Sequence, residues 1–235
     1  MRRLTRVTCG AALLAPLALA GCTAAGSANT AVHAALSSAS PTPHVLTGSE
    51  LKAMLVTDVP SGYSMDQTMV QDTGDQIQNA STGPVPGKAD CTKLDTNAFM
   101  LAAGVTSISF AQTGFANASK TGTIAEEIDV FQGTDAQTMM ARLAQVFVLC
   151  KTHTFTYQGT KATEHLVGGK LPALGPEAVK AVLTSPSFKG GTTLVAAPSG
   201  TAVATVFFSS PGADKGAAAV TIAGEILKKL AAAGK

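Results

Sequence analysis

Tryptophan is absent from this 235-residue sequence, tyrosine occurs only twice, and charged residues make up 14% of the chain. With aromatics this sparse and Lys and Arg scattered, there is neither a stacking platform nor a basic stripe, so nothing points to nucleic acid as a partner. The common catalytic signatures are missing as well. There is no G-x-S-x-G elbow, no H-E-x-x-H pair and no glycine loop suited to cradling phosphate. Long hydrophobic runs are lacking too: the apolar stretch from Gly10 to Ala20 is broken by Pro16 and falls well short of the ~20 residues that span a bilayer.

What is present begins at the N-terminus. Arg2, Arg3 and Arg6 precede the short apolar stretch, which is the layout of an export signal. The stretch ends at Leu19-Ala20-Gly21-Cys22, which resembles the lipobox of bacterial lipoproteins. That resemblance implies diacylglyceration of Cys22 and cleavage before it, with residues 1–21 as the signal peptide. Their removal takes three arginines and no acid, so the mature chain would carry a formal charge of −1. Attachment to the membrane would then rest on acyl chains, at ~0.8 kcal/mol per buried methylene, and not on a polybasic patch. The expected location is the outer face of the cytoplasmic membrane.

Residues 22–46 combine this lipidated cysteine with an Ala/Ser/Thr-rich segment that has two prolines near its end, and they read as a tether. Its r.m.s. span would be roughly 25–30 Å in the flexible regime. Cys9 lies in the segment to be removed, which leaves Cys91 and Cys150 as an even pair in an exported protein. They are expected to be bonded, the alternative being two buried free thiols.

Residues 47–235 suit a single domain. Ser49 is the expected N-cap of a helix bearing Leu51, Met54 and Leu55, followed by a strand from Tyr63 to Val70 and a long Gly/Pro-containing loop over 71–88. A short helix is expected from Cys91, with Leu94, Ala98 and Leu101 inward. Strands are expected over 107–113 and 123–132, and a helix over 134–149 with Met139, Leu143, Val146, Phe147 and Cys150 on one face. Hairpins turning at Gly159 and at Ser199-Gly200 come next, and a terminal helix over 212–233 is patterned by Ala219, Ile222, Ile226, Leu227 and Leu230. Short turns between strands imply an antiparallel sheet with three longer helices packed on it, an α+β fold.

The succession of LTGSELKAML, a loop ending in ADC at Cys91, two strands, TDAQTMMARLAQVFVLC ending in Cys150, several strands and an Ala-rich terminal helix resembles the extracellular sensor domain of actinobacterial PknH-type serine/threonine kinases. The resemblance covers about residues 46–233 and implies a cleft-bearing domain for an unknown small-molecule or envelope ligand. Family members usually carry a second disulfide and several tryptophans, which this chain lacks.

Candidate chemistry is thin. Ser49-Glu50-Leu51-Lys52 and Lys120-Thr121-Gly122 match the S-x-x-K and K-T-G elements of penicillin-recognising enzymes, but the S-x-N element needed between them is absent. His153 and His165 flank the turn at Gly159. Glu164 stands beside His165. A three-residue loop would set the two histidines opposite each other, the register a metal site would need together with a third ligand, whereas a two-residue loop would set 153 against 166 and separate the imidazoles. Glu126, Glu127 and Asp129 read as a solvated acidic strand face. Tyr63, His153, Tyr157 and His165 are the candidate ligand-binding residues, with the stiff junction after Cys150 facing the 71–88 loop. The expectation is a non-catalytic binding or sensing module without metal or cofactor. Its alternative is a carrier of lipidic envelope molecules with an apolar cavity.

Overall fold

The computed structural model describes residues 44–79, 89–157, 159–187, 189–211 and 216–233. The signal peptide, Cys22 and nearly all of the tether lie outside the described residues, as does 80–88 of the long loop. The domain opens with helix α1 (Gly48–Lys52), capped by Thr47 rather than by Ser49. Thr47 and Glu50 form a capping box in which each side chain meets the other's backbone N–H, satisfying two otherwise orphaned donors. Lys52, the lysine of the S-x-x-K match, is bound to Asp72 at 2.9 Å.

The expected strand over 63–70 is three short pieces: β1 (Tyr63–Met65), a 3-10 turn at Gln67–Met69 capped by Asp66, and β2 (Gln71–Asp72). Beyond it the chain runs along β3 (Ser109–Asn117), where Thr73 N–H donates to Phe110 O and Gln78 N–H to Ile108 O. Two 3-10 turns, Cys91–Asp95 and Phe99–Ala103, stand where one short helix was expected. This breaks the 3.6-residue register, so Leu94 is buried while Leu101 is exposed.

The remaining elements are β4 (Thr123–Val130), α2 (Asp135–Leu149), β5 (Thr152–Tyr157), β6 (Thr160–Lys170), β7 (Val179–Thr184), β8 (Gly191–Ser199), β9 (Ala202–Ser210) and α3 (Ala217–Ala233). The strands form one antiparallel sheet in the order β1-β3-β4-β9-β8-β7-β6-β5, with β2 also on β3. The fold is therefore α+β, with α1 and α3 on one face of the sheet and α2 on the other.

Each face has its own core. Leu94, Phe99, Met139, Leu143, Phe147 and Leu194 pack beneath α2, and Leu51, Ile124, Ile128, Val206, Ile222 and Ile226 pack beneath α1 and α3. This explains the almost unbroken apolar run AVATVFF in β9. A central strand covered on both faces needs no polar alternation, and adjacent Phe207 and Phe208 go to opposite cores. On α2 the expected stripe of Met139, Leu143, Val146, Phe147 and Cys150 is buried throughout.

The acidic cluster on β4 is not solvated. Glu126 is fully buried under α1 and α3, where its carboxylate accepts a 2.8 Å hydrogen bond from Val56 N–H. Burial lifts its pKa to about 7, opposed by that hydrogen bond and by Lys229. Lys229 in turn donates to Leu55 O at 2.7 Å, tying α3 to the segment after α1. Glu127 and Asp129 turn to the other face. Burial raises both, Asp129 to about 6, and they share a hydrogen bond.

Candidate functional site

Helix α2 ends at Leu149 with Cys150 as its C-cap, and only Lys151 separates Cys150 from the edge strand β5. Cys150 is bonded to Cys91, with the Cα atoms 5.5 Å apart. The expected disulfide is therefore present, and it staples the start of the 3-10 turn Cys91–Asp95 to the start of β5. Asp90 caps that turn through Thr92 N–H and Oγ1, so Asp95, one turn along, is held above the strand.

The hairpin between β5 and β6 settles the histidine register. Its loop is two residues, with Gly159 at φ 80°, a conformation open to glycine at little cost. This is the two-residue alternative, but it sets His153 opposite Glu164 and not residue 166, and His165 stands opposite Thr152. The imidazoles therefore lie on opposite faces. His165 is exposed beside Thr152 Oγ1, with Nδ1 at 3.4 Å. His153 faces the α2 side under Asp95.

There it forms a cluster with Glu164 and, unforeseen from the sequence, with Asp95. His153 Nε2 is 3.5 Å from Asp95 Oδ2 and 3.5 Å from Glu164 Oε2, and only 6% of its side chain is exposed. The Asp95 and Glu164 side chains are 19% and 13% exposed. Both imidazole nitrogens, Asp95 Oδ2 and Glu164 Oε2 are buried without a hydrogen-bond partner. Burial first, and then Asp95 alongside, push the Glu164 carboxyl up to about 8. Neither carboxylate has a Lys or Arg ion-pair partner among the described residues. Asp95 carries no sequence signal; only its place four residues after a disulfide cysteine could have drawn attention to it.

The other candidate residues do not converge here. Tyr63 is in β1, at the opposite end of the strand order from β5, and its ring packs on Phe208 with centroids 6.1 Å apart. It cannot share a site with His153. Tyr157 ends β5 opposite Thr160, and its side chain lies outside the described residues. The described part of the 71–88 segment lies along β3 and not over β5, because its backbone groups find their partners there.

Beside the cluster runs an apolar groove of about 470 Å³. It lies before the start of β5, where 167–170 of β6 pair only with β7, and α2 forms its other wall. Phe147, Val148, Leu166, Val167 and Val179 line it, with Lys151 and Lys170 alongside. Gly168 matters to its shape, since a Cβ there would come within 3.2 Å of Phe147. Val148 and Val167 are 63% and 76% exposed.

The chain matches no family model and no curated protein. It is similar in structure to the extracellular domain of PknH from Mycobacterium tuberculosis, with a TM-score of 0.61 at 15% sequence identity. The match covers 81% of this chain and 100% of that one. At this identity the likeness is one of fold. It agrees with the element order from which the resemblance was read.

Proposed function

We propose that this chain is a lipoprotein of the bacterial envelope, anchored at the outer face of the cytoplasmic membrane through acyl chains on Cys22, whose domain binds a ligand without transforming it. The lipobox-like Leu19-Ala20-Gly21-Cys22 and the Ala/Ser/Thr-rich tether support the anchoring. The fold shared with the extracellular domain of PknH supports a sensing or binding role.

The observation that carries the reading is the apolar groove between α2 and β6. Its lining suits the apolar part of an amphiphile, and Lys151 and Lys170 suit an anionic group on the same molecule. Lipid carriage is the second reading and draws on the same lining. It requires exchange of the bound molecule, whereas sensing requires only occupancy.

The test is photo-crosslinking in the full-length exported protein, with a photoreactive residue at Val167 and a control at exposed Thr154 on β5. Mass analysis should find an amphiphilic small molecule attached at 167 and not at 154. Adducts at both sites, or at neither, would count against ligand binding in the groove. Separately, Cys22→Ser should abolish wild-type processing and membrane retention, and unchanged retention would remove the anchor from the reading.

A further inference from the structure

We propose that Asp95, His153 and Glu164 form a binding site for one divalent first-row transition-metal ion, best suited to zinc. The ligand set is one imidazole and two carboxylates, whose candidate atoms all lie within 4.8 Å of one another. Mixed nitrogen and oxygen donors favour zinc over calcium or magnesium, which prefer all-oxygen shells.

The two separations from His153 fit. Ligands at about 2.0–2.1 Å from a tetrahedral zinc lie roughly 3.3–3.4 Å from each other. The two Nε2 to oxygen distances of 3.5 Å are close to such edges and too long for good hydrogen bonds.

The second observation is the lack of partners. A histidine side chain 94% buried by its 6% exposure, with neither ring nitrogen hydrogen-bonded, is costly unless something occupies the space its Nε2 faces. Two carboxylate oxygens face the same space, equally without partners. A cation there would answer His153 Nε2 and both carboxylate oxygens at once. A proton shared by the carboxylates would answer only two of them.

The fold also preorganises the set. His153 and Glu164 are fixed by direct cross-strand pairing, and Asp95 is brought over them by the Cys91–Cys150 bond. Three protein ligands leave a fourth position to water or to an anionic group from outside. Along the same strands and face, Lys151 and Leu166 of the groove lie one pleat repeat away from His153 and Glu164.

The experiment uses the full-length, oxidised protein in detergent after chelator treatment, with zinc or cobalt(II) alone as the probe. Expected are one equivalent of bound zinc, a rise in thermal midpoint with zinc concentration, and a cobalt d–d spectrum showing nitrogen and oxygen ligation. His153→Ala, Asp95→Asn and Glu164→Gln should each weaken zinc binding at least 100-fold, and His165→Ala on the opposite face should not alter it. Wild-type protein that shows neither a cobalt spectrum nor a zinc-dependent midpoint would overturn the site, leaving only a shared proton. Zinc binding unchanged in His153→Ala would also overturn it. The cobalt spectrum is read on the wild type, so the idea remains refutable even where a variant fails to fold.

Discussion

Glu126 and Glu164 are both acids drawn out of water by the same sheet, and they differ in how the fold answers them. Glu126 lies in the centre, where Val56 N–H donates to Oε2 and Lys229 lies near, although Oε1 is buried without a hydrogen-bond partner. Glu164 lies next to the edge strand, against a second carboxylate and an imidazole, with no donor for Oε2. A buried charge whose partners come from the surrounding elements belongs to the scaffold, because removing it orphans those partners. A buried cluster of acceptors without donors costs stability in isolation, and it makes physical sense as a place where something else binds.

The largest expected effect separates the two through the disulfide. Replacing Cys91 and Cys150 by alanine should lower stability by about 4 kcal/mol, the chain-entropy value for a closed loop of this length. Denaturant unfolding would measure it. The same variant should lose the zinc-dependent midpoint, because Asp95 is no longer held over His153. The pH signature of Glu126 should persist, since neither cysteine touches its surroundings. Loss of both signatures together would mean that the two regions are not independent.

Next in size is that pH signature. The Glu126 carboxyl has a pKa of about 7 in the fold against an ordinary 4.5, so the native state holds the extra proton across that window. Its contribution is fully present below about pH 4.5 and is lost as pH rises to 7, a fall of about 3 kcal/mol. Facing it are Lys229 and Glu225 of α3 and the Val56 N–H, while on the far side of β4 burial raises Glu127 and lifts Asp129 to about 6. The measurement is therefore a difference. Glu126→Gln should show a shallower decline in stability between pH 4.5 and 7 than the wild type, and parallel curves would refute the assignment.

A direct comparison of the two acids is expected to give a smaller effect. Glu126→Leu leaves the Val56 N–H without its acceptor and should cost about 1–3 kcal/mol. Glu164→Gln in chelator-treated protein relieves two unpartnered carboxylates in contact and should leave stability unchanged or slightly higher. Equal losses would show that Glu164 is scaffold after all.

Which parts were readable from the sequence follows from the same distinction. Helix α2 was plain because Met139, Leu143, Val146 and Phe147 repeat at helical spacing, and the antiparallel sheet followed from its short turns. The 3-10 breaks after Cys91 were not, since Leu94, Ala98 and Leu101 fit a helix until backbone geometry is known. Glu126-Glu127-Asp129 looked like a wet face because sequence shows charge and not the helix that covers it. The site needed contacts without local pattern. His153 meets Glu164 only because the hairpin loop is two residues, and Asp95 arrives from 58 positions earlier through the staple.

The smallest stability effect expected tests the groove. Val167 is 76% exposed, so Val167→Ser removes little buried apolar area and should change stability by less than about 0.5 kcal/mol. Phe147 also lines the groove but is buried in the core, and Phe147→Ala should cost about 3–5 kcal/mol. Any ligand effect in that variant is therefore confounded with unfolding. Val167→Ser is free of that difficulty. An amphiphile resting on Val148 and Val167 loses apolar contact when one of them becomes polar, so ligand recovered with the protein should fall severalfold while the thermal midpoint stays in place. Recovery unchanged in a Val148→Ser, Val167→Ser double variant would show that the ligand does not use this wall. Recovery lost together with the midpoint would show instead that these exposed valines support the fold, contrary to their burial.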